Sequence, residues 1–192
     1  MSPGIIAAIV IGALAAISAA VAANRKAGTL SQLHAVPSVT VAAASVGQAV
    51  RLTGLVAGDG EQRVTGAFSG TPGVIAVSER WEKTTRGQRL RRLDRTLRGT
   101  PFILEDETGR VRVIADDSVE VVVDLVPAQI ATSGPNRVFG AGVMAANMNQ
   151  TTETLEGVIA VGARVTVSGT LRKHDDGTLE LVAAPKLIVA TV

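Results

Sequence analysis

From Ala67 to Asp116 the chain sets short alternating runs against turns, and no other feature restricts its fold as much. A small turn, Ala67-Phe68-Ser69-Gly70-Thr71-Pro72, leads into Val74 to about Thr84, a run that carries the only tryptophan, Trp81. A basic excursion follows, and then two runs, Pro101 to Glu105 and Arg110 to Ala115, flank Asp106-Glu107-Thr108-Gly109. Two short strands around an acidic turn that ends in glycine, the residue that tolerates positive φ, predict a hairpin. In its second strand Val111 and Val113 face one way and Arg110 and Arg112 the other.

The flanks keep the same rhythm. Gln48 to Ala57 alternates, with Val50, Leu52 and either Leu55 or Val56 pointing inward, and Gly58-Asp59-Gly60 closes it as a turn. Thr40 to Ala44 fits a helical turn or a first edge strand equally well. Val119 to Leu125 places Val119, Val121, Val123 and Leu125 on one face, the pattern of a sheet wetted on its other side. Ile130 to Glu156, rich in Gly, Asn, Thr and Ser, reads as a long loop or insertion. Three closing strands are predicted at Ala163 to Lys173, Thr178 to Val182 and Lys186 to Val192, the first two joined by Asp175-Asp176-Gly177. Short strands, Asp-Gly turns and no convincing amphipathic helix predict a mainly β fold, specifically an oligonucleotide-binding-like barrel.

Ahead of this domain, Ile5 to Ala23 is apolar or small throughout except for Ser18. That is the length of helix needed to cross roughly 30 Å of hydrocarbon. A signal peptide is the competing reading, and Val21-Ala22-Ala23 resembles a cleavage site, but the basic residues that open such peptides are missing. The expected organisation is a transmembrane helix over 1–24, a linker over 25–37 and the β domain over 38–192. Arg25 and Lys26 directly follow the span, which favours a single-pass membrane protein with its domain on the cytoplasmic side. Ala8, Gly12, Ala16 and Ala20 form a small-residue stripe that would let two helices approach, although an alanine-rich helix produces such stripes by chance.

The net charge of +2 conceals a concentrated patch: Arg80 to Arg98 holds eight cations and two acids. Its densest part is Arg86, Arg89, Arg91, Arg92, Arg95 and Arg98, interleaved with Leu90, Leu93 and Leu97. Attraction to anionic lipid headgroups or to a protein partner, binding of nucleic acid, and a solvated loop paired with local acids all fit these charges. Nucleic acid is the least favoured, because single-strand binders stack bases on aromatics and this chain has one tryptophan, three phenylalanines and no tyrosine. The chain has no cysteine, which excludes disulfides, thiolate nucleophiles and cysteine-based zinc sites.

The order of these elements resembles the GIDE family, whose best-known members are mitochondrial membrane-anchored ubiquitin ligases sharing a "beside a membrane" domain. The resemblance runs in outline from Val46 to Val192. It rests most specifically on Pro101-Phe102-Ile103-Leu104-Glu105-Asp106-Glu107-Thr108-Gly109, and next on the turn with Ser69, Gly70 and Pro72, on Trp81, and on Gly162 to Leu171. Family members commonly carry a cysteine where this chain has Gly73. The eukaryotic ligases add a second span and a RING whose zinc needs Cys and His ligands, whereas here only His34 and His174 are available. The resemblance therefore implies a domain without a RING that acts by binding beside a bilayer, with any ubiquitin transfer needing a RING from another subunit.

Other motifs carry less. Gly140-Ala141-Gly142-Val143-Met144-Ala145 spells a dinucleotide fingerprint, but no βαβ unit surrounds it. Glu105, Asp106 and Glu107, like Asp116 and Asp117, lack a neighbouring histidine or nucleophile, and turn chemistry accounts for them. Trp81 reads as core or barrel-mouth packing unless it stands exposed beside the arginines. No catalytic residue, cofactor or metal is predicted.

Overall fold

A computed structural model describes residues 24, 26–59, 63–83, 89–116, 118–128, 151–183 and 186–191. The expected span at 5–23, its stripe at Ala8, Gly12, Ala16 and Ala20, and the Gly140 to Ala145 motif lie outside the described residues. Among the described residues no helix is long and apolar enough to cross a membrane.

The barrel is built from β1 (Ala49–Gly58), β6 (Phe102–Asp106), β7 (Gly109–Val113), β11 (Arg164–Lys173) and β12 (Leu179–Val182). They follow one another in space as β1-β6-β7-β12-β11, and β11 pairs back onto β1 to close the ring. The β7–β12 contact is parallel and the other four are antiparallel. Five strands closed on themselves match the barrel expected from the alternation. Inward positions fill it with Val50, Leu52, Phe102, Leu104, Val111, Val113, Val167 and Leu181, all at most 1 % exposed. Val56 takes the inward position that the sequence left open, and Leu55 stands 49 % exposed. Two more strands extend the sheet beyond β11: β13 (Ile188–Thr191), then β8 (Glu120–Val122), shorter than the run expected there.

A second sheet is inserted into the barrel's connections. It comprises β4 (Ile75–Lys83), β5 (Arg89–Gly99), β9 (Val126–Pro127) and β10 (Thr151–Ile159), in the order β5-β4-β10-β9. Two expectations are corrected here. The arginine segment is a strand from Arg89 onward and no loop, and the loop expected to run to Glu156 gives way to β10 at Thr151. Residues 91–96 of β5 are all exposed, so alternation had nothing to report there, whereas β10 does bury Leu155 and Ile159 on one face and was hidden by its polar composition. A two-stranded ribbon, β2 (Val64–Thr65) with β3 (Pro72–Gly73), carries the small turn. At Gly73 an added Cβ would lie 2.4 Å from Val158 Cγ1 and 2.6 Å from the Ile159 carbonyl, so this packing has no room for a cysteine side chain.

Residues 26–35, expected as linker, are helical and are called α1. Leu33, 2 % exposed, packs with Ile188 and Ala190 of β13, and Leu30 and Val122 join this satellite core. Lys26 pairs with Asp124 at 3.0 Å, and Glu120 accepts from both Thr29 and Lys186. Polar side chains along α1 hide its apolar positions from a periodicity test, because only Thr29 and Leu33 are fully buried. The segment at Thr40 to Ala44 resolves to a 3₁₀ turn, Val41–Ala43.

Candidate functional site

The residues of the 101–109 run sit in the barrel and its hairpin. Phe102 and Leu104 fill the barrel, and Glu105 pairs with Arg110 across the hairpin at 3.0 Å. Asp106 accepts N–H bonds from Thr108 at 2.7 Å, Gly109 at 3.0 Å and Val41 at 2.8 Å, which ties the hairpin turn to the 3₁₀ turn. Burial alone would push the Asp106 carboxyl up, but the Thr108 hydroxyl and these amides outweigh it and hold it below the usual range. Gly109 does not have the positive φ expected of it. Its constraint is proximity, since a Cβ there would meet Val41 Cγ1 at 3.1 Å. Pro101 leads into β6 half-buried, and Pro72 opens β3.

In the other turn Gly70 does take positive φ, 68°. The clamp on this turn is a residue that sequence reasoning missed, Glu156 of β10. Its carboxylate accepts the amides of Phe68 and Ser69, each at 3.0 Å, and the residue is 4 % exposed. Five β-branched residues between Thr151 and Ile159 were the signal that could have placed it on a strand.

The arginines are sorted by two irregularities in the β4–β5 ladder, between Arg80 and Trp81 and between Glu82 and Lys83. Residues spaced by three on a regular strand alternate faces, but each bulge adds one residue and restores the original face. Arg95, Arg92 and Arg89 are thereby registered opposite Glu79, Trp81 and Lys83, all on one side. Arg91 and Arg98 are registered with Glu82 and Ala76 on the other, and Arg86 lies outside the described residues. Acids of β4 and β10 meet them. Glu79 binds Arg92 at 3.0 Å and Arg95 at 3.6 Å, Glu82 binds Arg91 at 2.7 Å, and Glu153 binds Arg89 at 2.6 Å and Lys83 at 3.5 Å. Five cations share three carboxylates, so the field over the strand stays positive. The local pairing foreseen for a solvated loop is therefore present, on a strand.

On the Arg92 and Arg95 side a groove of about 830 Å³ opens between β5, β4, β8 and α1. β5 contributes Arg92 and Arg95, Arg91 also lines it although registered on the other side, and α1 contributes Lys26 and Thr29. Val77, Val121, Val123 and Leu125 give it an apolar floor. Trp81 lines the groove as well, half-buried, with its indole N–H donated to Glu79 at 2.9 Å. It belongs to the inserted sheet and is absent from the buried core cluster, and of the core, barrel-mouth and arginine-side placements open to it the structure has it beside the arginines. Glu79, Lys26 and Thr29 were not foreseen. Among the described residues no group of three His, Asp or Glu side chains is placed to hold a metal ion.

The fold defines a class of domain: a closed five-stranded barrel whose connections carry a second, charged sheet. The chain belongs to the GIDE family, for the family model, described as E3 ubiquitin ligase, matches residues 75–188, more than half of the chain. That match takes in the inserted sheet and four of the five barrel strands, with β1 ahead of it. No curated protein and no solved structure matches the chain significantly.

Proposed function

We propose that this chain is a single-pass membrane protein whose β domain works at the bilayer surface, with the arginine groove against anionic lipid headgroups. One observation carries the reading. Lys26, three residues beyond the apolar run that ends at Ala23, lines the same groove as Arg91, Arg92 and Arg95. A bilayer crossed by that run would lie beside the groove, where each basic residue gains about 1 kcal/mol from an anionic leaflet. The packed helix α1 leaves little slack between them. Against nucleic acid, Trp81 is the one aromatic lining the groove among the described residues, and its N–H is already held by Glu79.

Flotation of residues 24–192 with vesicles tests this reading, because that piece keeps α1 and hence the whole groove. It is expected to float with phosphatidylserine vesicles and not with phosphatidylcholine vesicles, and to be released by 0.5 M salt, roughly a 4 Å screening length. Changing Arg89, Arg92 and Arg95 to Gln is expected to weaken binding at least 10-fold with the far-UV circular dichroism unchanged. Equal flotation of variant and wild type, or none with either lipid, would remove the lipid reading and leave a protein partner for the arginines.

The family description favours a second reading, a contribution to ubiquitin transfer. Within these 192 residues no cysteine exists to ligate RING zinc, so this reading needs a RING that these residues do not supply. Ubiquitin discharge by the chain alone would overturn that dependence.

A further inference from the structure

The groove has two halves of opposite chemistry. Along its floor Val77, Val121, Val123 and Leu125 offer hydrocarbon. At its rim Arg92 and Arg95 stand side by side because one buttress holds both: Glu79 Oε1 lies 3.0 Å from Arg92 Nη1 and 3.6 Å from Arg95 Nε. The Glu79 side chain is 11 % exposed, whereas both arginines are 37 % exposed. A single carboxylate charge leaves two guanidinium groups with a surplus of one positive charge. Each guanidinium has five N–H donors in a fixed fork and commits only part of it to Glu79. Two forks on a fixed support form a receptor for a tetrahedral oxyanion, which guanidinium binds by paired hydrogen bonds. Inorganic phosphate would leave the apolar floor uncovered, and the volume falls in the range of about 300–1,000 Å³ typical of small-molecule sites.

We infer that the groove seats one phosphorylated amphiphile, its phosphate on Arg92 and Arg95 and its hydrocarbon along Val77, Val121, Val123 and Leu125. Glu79 is the positioning residue. The inference rests on the membrane-surface reading for the source of the ligand, a single anionic lipid from the adjoining leaflet. It goes further in that the lipid is held as one molecule and not as a charged plane.

Trp81 is the only tryptophan and lines the groove, so its emission reports occupancy directly. The full chain in neutral detergent would be titrated with monomeric dibutanoyl and dihexanoyl phosphatidate, dihexanoyl phosphatidylcholine and inorganic phosphate. A saturable change is expected with phosphatidate, tightening about 4-fold for each further methylene seated on the floor. Inorganic phosphate and the zwitterionic lipid are expected to bind at least 30-fold more weakly than dihexanoyl phosphatidate. Arg92→Gln with Arg95→Gln should weaken phosphatidate at least 10-fold, and the chain-length series on the wild type stands even if that variant misfolds. Affinity indifferent to chain length, phosphate binding as tightly as phosphatidate, or arginine variants binding like wild type would each overturn the seat. The two readings fail separately. Arginine-dependent flotation without saturable binding of the short lipids sinks the seat alone, and saturable binding without flotation sinks the surface reading alone.

Discussion

Replacing Gly54 by alanine is expected to destabilise the domain by about 3 kcal/mol, the upper end of ordinary overpacking. β1 is the strand that closes the barrel, pairing with β11 over Ala49 to Leu55 and with β6 over Leu55 to Gly58. Gly54 sits at this exchange of partners, where β1 must approach β6 closely. A Cβ there would lie 2.4 Å from the Glu105 carbonyl oxygen and 2.9 Å from its carbon, and backbone atoms cannot swing aside as a side-chain tip can. Relief would require β1 and β6 to part at the seam. Urea unfolding of residues 24–192 measures this as a lower midpoint at unchanged slope. A midpoint shift worth less than about 0.5 kcal/mol would show that the seam has slack.

The second large effect is expected at Glu156. Changing it to Gln should cost about 2 kcal/mol, the range of hydrogen bonds made to a charged group. It should also loosen the turn at residues 67–71, read as faster amide exchange at Phe68 and Ser69. Burial by itself pushes the Glu156 carboxyl up, but the Ser69 hydroxyl and the amides of Phe68, Ser69 and Ala67 outweigh burial and bring it below its ordinary 4.5. A carboxyl depressed in the folded state contributes stability that is fully present above 4.5 and is lost as pH falls through the lower native value. Wild type should therefore lose stability over that acid window, and the Gln variant should lose less of it because it has no proton to take up there. Parallel acid limbs for the two proteins would show that Glu156 is not held as an ionised clamp.

Both residues illustrate what can and cannot be read from the chain. Gly54 was visible only as a glycine in an alternating run, since the approach of Glu105 depends on strands about fifty residues apart in the chain meeting at one seam. Glu156 stood in a segment read as loop, although β10 pairs with β4 along its whole length. The arginines were legible as a basic cluster and not as a surface. Spacing by three assigns Arg89, Arg92 and Arg95 to alternating faces of a strand, and only the two bulges against β4 gather them on one.

What the sequence by itself determined is the barrel. Val50, Leu52, Val111, Val113, Val165 and Val167 alternate with polar residues because each strand has one face in the core and one in water, and a period of two survives in the letters. It also determined the hairpin turn and the family, because Asp106 bonds mainly to residues within three positions and Phe102 and Leu104 fill one core. Tertiary structure alone decided the groove. The apolar period of Val121, Val123 and Leu125 was legible as a strand face, but α1 and β5 are wet or charged where they meet it, so nothing in the letters announces that they wall it in. Charged cross-strand pairs such as Glu79 with Arg95 have meaning only once the register is set, and the register is set by packing elsewhere in the sheet.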